Sequence, residues 1–276
     1  MQQGKNIGVF DSGYGGLTIL KEIVRLLPQY NYIYLGDNAR APYGSRSFEV
    51  VYQYTREAVY RLFEMDCQLV ILACNTASAK ALRTIQQNDL PFWDPAKRVL
   101  GVIRPSVEAL ARYSRNGHVG VLATRGTVAS ESYPMEIQKL YGDKKYEITQ
   151  LACPMWVPLV ENNELEGAGA EYFVRKYTRR LLGLDPEIDT VILGCTHYPV
   201  LLSLIARFMP ARVKIISQGH IVADRLADYL HRHPEMDEKL SRQGEVTYYT
   251  TEKTDLFDRM AGLFLGQEVK SRHIVV

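Results

Sequence analysis

The sequence predicts an α/β protein built as two similar, doubly wound domains with mainly parallel sheets that face each other across a cleft. Three observations predict it. Thr190 to Pro199 reads TVILGCTHYP, a β-branched and apolar run of the kind a buried parallel strand needs. It ends in a thiol, a hydroxyl and an imidazole, and Pro199 opens a helical segment. Leu69 to Ala79 repeats that grammar as LVILACNTASA, with Cys74 at the strand end followed by Asn75 and Thr76. Finally, Val119 to Thr124 (VGVLAT) echoes the opening strand Ile7 to Asp11 at an offset of 112 residues, close to the 121 that separate Cys74 from Cys195. Such order-preserving similarity points to two related α/β halves, each offering one strand-end cysteine.

Taken in order, Ile7 to Phe10 reads as the first strand and ends in Asp11-Ser12-Gly13-Tyr14-Gly15-Gly16. Leu17, Leu20, Ile23, Val24 and Leu27 then recur at helical spacing until Pro28. This glycine loop is neither a full dinucleotide fingerprint nor a P-loop, so a plain turn with Asp11 and Ser12 as helix caps stands beside a functional reading. Tyr32 to Leu35 is a second strand, and the loop 38–47 carries the turn residues Pro42, Tyr43 and Gly44. A helix with Val51, Thr55, Val59 and Leu62 inward precedes the Cys74 strand. After it comes a helix through Leu82 and Ile85, broken near Pro91, and then the strand Val99 to Ile103. In the second half the pattern predicts strands at Val119 to Thr124 and Tyr146 to Leu151, with a helix Val128 to Tyr141 between them. A helix with a basic, solvated face through Tyr172 and Lys176 leads into the Cys195 strand, followed by a helix Val200 to Phe208 and a strand Val213 to Ser217. Beyond lie a helix through Ile221, Leu226 and Leu230, a strand Glu245 to Thr250, a helix Leu256 to Leu265, and a closing strand or tail. These return to complete the first sheet. The predicted division is residues 1–101 with 210–276 as the first domain and 102–209 as the second.

A chain of 276 residues, 46% hydrophobic and 23% charged, has material for two ordinary cores. A net charge of +2 gives no electrostatic footprint for nucleic acid or an anionic membrane, which leaves a small molecule as the expected partner. No run of about 18 apolar residues predicts a membrane span. The opening MQQGKNIGVFDSG carries no apolar signal core, so a cytoplasmic chain is expected. The four cysteines, Cys67, Cys74, Cys153 and Cys195, form no C-x-x-C pair, and no metal site is expected. Cys67 and Cys153 read as core fillers.

Two thiols on opposite sides of a small substrate suit one reaction class: removing a proton from one face of a carbon and returning one on the other. A free thiol titrates near ~8.5 and lower beside a helix N-terminus, so thiolate and thiol can coexist near neutral pH as a matched base and acid. His197 and Asp11 are placed to tune the pair. Ser12, Asn75, Thr76 and Thr196 offer hydrogen bonds to an ammonium or carboxylate.

The combination DSGYGGLTIL, GDNARAPYGSRS, LACNTASA, VGVLATRGTVAS, CPMWVPLVE and LGCTHYPVL strongly resembles the glutamate racemases of the cofactor-independent aspartate/glutamate racemase superfamily, over about Ile7 to Leu202. The resemblance implies a cytoplasmic, homodimeric isomerase that needs no cofactor and supplies D-glutamate for peptidoglycan. It implies Cys74 and Cys195 as proton acceptor and donor, with Asp11, Glu161 and His197 assisting. Asp11-Ser12, Tyr43-Gly44, Asn75-Thr76 and Thr196-His197 resemble its substrate-binding pairs.

Two stretches depart from that pattern. The family commonly has Pro-Gly where this chain has Pro105-Ser106 after Arg104, and Asp-Ser-Gly where it has Ser217-Gln218-Gly219. Rival readings are an aspartate or related racemase with the same thiols, a catalytically idle binding homologue, and a phosphate binder using the Asp11 to Gly16 loop. Retention of both cysteines with Asp11 and His197 argues against idleness.

Overall fold

Strand β1 (Asn6–Asp11) lies inside its sheet, apolar on both faces, because a parallel strand covered by helices on two sides has no solvent face to supply. A computed structural model of the chain describes residues 5–142 and 145–276. The first four residues of the predicted first domain lie outside that range. β1 is flanked by β2 (Tyr32–Gly36) and β3 (Cys67–Leu72), and β4 (Arg98–Gly101) lies beyond β3. From the C-terminal end of the chain, β9 (Val246–Thr250) adds to β2 and β10 (Ser271–His273) to β9, giving the order β10-β9-β2-β1-β3-β4.

The second sheet holds β5 (His118–Ala123), β6 (Glu147–Ala152), β7 (Thr190–Gly194) and β8 (Lys214–Ile216) in the order β6-β5-β7-β8. Every ladder in both sheets is parallel. The order β2-β1-β3-β4 of the first sheet recurs as β6-β5-β7-β8 in the second, so the weak internal repeat of the sequence is a repeat of topology. In each, the chain reverses direction across the sheet beside the central strand, between β1 and β3 and between β5 and β7. Open α/β sheets bind ligands at such a switch point, at the carboxyl ends of the strands.

Helices cover both faces of both sheets and bury four apolar clusters. The helix Gln218–Arg232 packs so closely on Leu17–Leu26 that a Cβ at Gly219 would lie 2.8 Å from Glu22 and 3.0 Å from the Thr18 carbonyl. Helix and first sheet are thereby joined by the segment that brings the chain back from the second sheet. β8 (Lys214–Ile216), which lies beyond the expected boundary at 210, hydrogen-bonds to β7 of the second sheet.

Two helices differ from expectation. Pro91 breaks nothing: it sits inside the turn Leu90–Trp93, and the chain bends away only at Asp94. A π-helical turn, Ile85–Asp89, precedes it and pairs the Leu90 N–H with the Ile85 carbonyl, so the donor that proline lacks falls where the pairing has already shifted. The helix expected over 128–141 is two, Arg125–Ala129 and Ser132–Tyr141. Thr124 starts the first by accepting the Thr127 N–H on its hydroxyl at 3.2 Å, and Glu131 in the left-handed region (φ 52°) separates them.

Candidate active site

The four strand ends nearest the two switch points converge on one cavity of about 280 Å³ between the sheets. β1 delivers Ser12, β3 delivers Cys74 to Thr76, β5 delivers Thr124 and Arg125, and β7 delivers Cys195 to His197. The loop after β2 closes one side with Tyr43 and Gly44, and Glu161 comes from the end of the helix Trp156–Glu161. Of the residues expected at the site, all but Asp11 line this cavity; Asp11 is buried and hydrogen-bonded to the lining residue Thr196.

Cys74 is the N-cap of the helix Asn75–Lys80, its sulfur accepting the Ala77 N–H at 3.4 Å and lying 3.4 Å from the Ser12 hydroxyl. A helix N-terminus favours a thiolate, and on that ground the sequence alone points to a lowered pKa. The structure reverses this. Burial dominates, Asp11 adds to it, and together they outweigh Ser12 and the Ala77 amide, pushing the Cys74 thiol up to about 12. Burial thus favours the thiol, the form in which Cys74 can act as the acid.

Cys195 has a different neighbour. Its sulfur is 3.8 Å from His197 Nδ1, and the far nitrogen Nε2 is 3.1 Å from Glu161 Oε1. Burial opposes a charged imidazole, but the Cys195 and Glu161 partners overcome it and hold His197 well above the ordinary histidine range. His197 Nδ1 is thus turned to Cys195 while Glu161 takes the opposite ring nitrogen.

Asp11 is fully buried, and burial raises its carboxyl despite the charge of His197 and the N–H groups of Gly13 and Gly16. Its Oδ1 accepts from Gly13 N at 2.8 Å and its Oδ2 from the Thr196 hydroxyl at 3.3 Å, joining the first sheet to the second cysteine loop. More such cross-links surround the cavity. Thr76 Oγ1 lies 3.0 Å from Thr124 Oγ1, and the Thr18 hydroxyl donates to the Thr196 carbonyl at 3.0 Å. Gly44 has no side chain because there is no room for one: a Cβ there would lie 2.9 Å from Thr124. Tyr43 is anchored through its hydroxyl to buried Asp37, which also accepts from Arg40 at 2.7 Å and Thr251 at 2.8 Å.

Cys153, Thr124 and Arg125 are among the lining residues not expected at the site. Cys153, expected as core filler, is fully buried yet forms part of the cavity wall, and burial raises its thiol well above the ordinary value. Thr124 and Arg125 stand where the internal repeat places Ser12, so the repeat itself is the signal for them. A larger cleft of about 570 Å³ lies elsewhere between the helices and contains neither sulfur; its Arg104 and Arg225 are paired with Glu108. Chemistry, not size, singles out the smaller cavity. Among the described residues no group of three or more His, Cys, Asp or Glu side chains could hold a metal ion, and none of the described cavity residues is a lysine.

Two sulfurs from opposite sheets in one cavity fit an isomerase that works on both faces of a carbon. Comparison with known proteins carries this further. The Asp/Glu/hydantoin racemase profile matches residues 7–226. A glutamate racemase of Geobacter metallireducens is 40% identical over 264 residues, covering 95% of this chain and 93% of that protein. The crystal structure of a Bacillus anthracis glutamate racemase isoform superposes with a TM-score of 0.89 at 33% identity, over 100% of this chain and 99% of its own. That of the Francisella tularensis glutamate racemase, in complex with D-glutamate, gives 0.84 at 30% identity over 99% and 97%. The chain belongs to the Asp/Glu/hydantoin racemase family and is an amino-acid racemase. Among the described residues no helix is long and apolar enough to cross a membrane.

Proposed function

We propose that the chain interconverts L- and D-glutamate by two-base proton transfer at the α-carbon, with Cys74 and Cys195 exchanging the roles of acid and base as the direction changes. The observation that carries this reading is that both sulfurs line one cavity from the ends of equivalent strands in two repeated sheets. Glutamate as substrate is supported by relatives of that name at high coverage and by the D-glutamate complex of the Francisella protein.

In this mechanism one sulfur, as thiolate, takes the α-hydrogen as a proton. The C–H electron pair passes into the adjacent carboxylate, and the opposite thiol protonates the carbon on its other face. His197, held by Glu161, donates toward Cys195, while Asp11 fixes the Thr196 loop. Ser12, Tyr43, Gly44, Asn75, Thr76 and Thr196 hold the ammonium and the two carboxylates. No cofactor takes part, since the thiols supply both acid and base and no described lining lysine offers an amine for a Schiff base. We assign residues 1–101 with 217–276 to one domain and 102–216 to the other. A cytoplasmic homodimer supplying D-glutamate to peptidoglycan synthesis completes the proposal.

The test uses dialysed protein without added cofactor, L-glutamate in deuterated water, and L-aspartate in parallel. At low conversion the new D-glutamate carries deuterium almost completely, because the thiol that reprotonates has exchanged with solvent, and the remaining L-glutamate carries little. Early D-glutamate that keeps its original α-hydrogen refutes two opposed bases, and faster turnover of aspartate refutes the substrate.

A further inference from the structure

The two departures from the family pattern, at Ser106 and Gln218, are 112 positions apart and touch. Gln218 Nε2 donates to Ser106 Oγ at 2.6 Å, and both side chains are shut off from solvent. The rest of the Gln218 carboxamide is equally committed. Its Oε1 accepts from Asn75 Nδ2 at 2.7 Å, and Nε2 also lies 3.0 Å from the Tyr133 hydroxyl and 3.2 Å from the Val102 carbonyl. The Tyr133 hydroxyl in turn donates to Asn75 Oδ1 at 2.8 Å.

Asn75, Gln218 and Tyr133 therefore close a ring in which each gives one hydrogen bond to the next and takes one from the last. Such a ring could run in either sense, but the Val102 carbonyl can only accept and the Ser106 hydroxyl hydrogen already goes to it, so the end of Gln218 that faces them is the nitrogen, and this fixes the sense of the ring and the Asn75 orientation. Its members come from three places. Asn75 follows Cys74 and lines the cavity. Tyr133 is on a helix of the second sheet's half, and Gln218 opens the helix by which the chain returns to the first. The ring closes only when these three are in register.

We propose that Gln218 is a positioning residue for the reaction: through the ring it holds the Asn75 carboxamide in the one orientation that receives substrate, and only while the two sheets are correctly seated on each other. This rests on the glutamate racemase reading of the cavity. Glutamine has the reach and the donor–acceptor pair that the ring demands. Ser106 is its matching half, since its own hydroxyl hydrogen goes to the Val102 carbonyl at 2.8 Å and leaves the oxygen free to accept.

Gln218→Glu tests this with no change in shape. A carboxylate can only accept, so the Tyr133 hydroxyl turns toward it and Asn75 Oδ1 loses its donor. Tyr133→Phe removes the same donor from the other side. For both variants, well below their melting temperatures, KM for glutamate rises about tenfold in both directions while kcat stays within about threefold, the pattern of lost binding. Added to Asn75→Ala, Gln218→Glu raises KM no further, because its effect passes through Asn75. Unchanged KM in both single variants, or a full further rise in the Asn75→Ala background, overturns the proposal. If Gln218→Glu does not fold, Tyr133→Phe decides by the same two readouts. A wild-type protein that fails to racemise glutamate in the same assay refutes the functional reading instead, so the two failures are distinguishable.

Discussion

Cys74 and Cys195 occupy the same place in two repeated sheets but not the same surroundings. One sulfur rests against a hydroxyl and a backbone amide, the other against an imidazole braced by Glu161. Cys74→Ala and Cys195→Ala each remove one obligatory proton carrier, so each lowers kcat by about 10²-fold or more while the thermal melt stays close to wild type. Cys67, closed in at the start of β3 away from the cavity, gives the opposite result when changed to Ala: stability drops by about 1–2 kcal/mol and kcat is retained. Parallel circular-dichroism melts and racemisation rates separate the two outcomes. The catalytic candidates were legible because a thiol at a strand end beside polar residues is chemically conspicuous. Cys153 was not, because its neighbours in sequence are those of a core residue, and only the fold brings it to the cavity wall.

At the scale of elements, the central strands were readable nearly to the residue, since β1, β3, β5 and β7 are apolar runs closed by glycine or a polar group, whereas the expected strand Val99 to Ile103 stops at Gly101 and Ile103 opens a helix. Helix ends were less so. The break at Glu131 comes from a single left-handed backbone residue, and the harmless Pro91 from a π turn, neither of which has a periodicity to detect. The loop after β1 shows how tightly elements from different halves meet. A Cβ at Gly15 would intrude on Thr196 and lie 2.5 Å from the His197 ring. Gly15→Ala therefore displaces His197 from Cys195 and lowers kcat/KM about tenfold or more. Gly169, inside the helix Gly167–Leu184, is the control, because a Cβ added there would meet nothing within 4 Å. Gly169→Ala leaves kinetics unchanged and adds about 0.5–1 kcal/mol of stability.

For the whole molecule, the enclosure that raises the Cys74 thiol has a thermodynamic signature. The unfolded chain releases that proton near its ordinary value of 9.0, the folded chain only near 12. Between these values the unfolded state binds fewer protons, so the stabilisation present below pH 9.0 is lost as pH rises toward 12. Cys74→Ser removes this titration, and its stability falls less steeply than wild type by about 1.4 kcal/mol per pH unit in urea titrations across that window. The sheet order could be foreseen only as a repeat, because strand adjacency is fixed by crossovers that no short window of sequence encodes. That repeat carries one more consequence. Two copies of a chain of L-amino acids can be related by rotation but never by reflection, whereas the substrate's two forms are mirror images. The duplicated halves therefore cannot present identical surroundings to the two enantiomers, and the unlike partners of the two sulfurs are the form this takes. Yet enantiomers in free solution have equal free energy, so their equilibrium constant is unity. Whatever asymmetry the protein builds must cancel between kcat and KM, and a substitution on either side of the cavity slows the forward and reverse reactions, as kcat/KM, by the same factor.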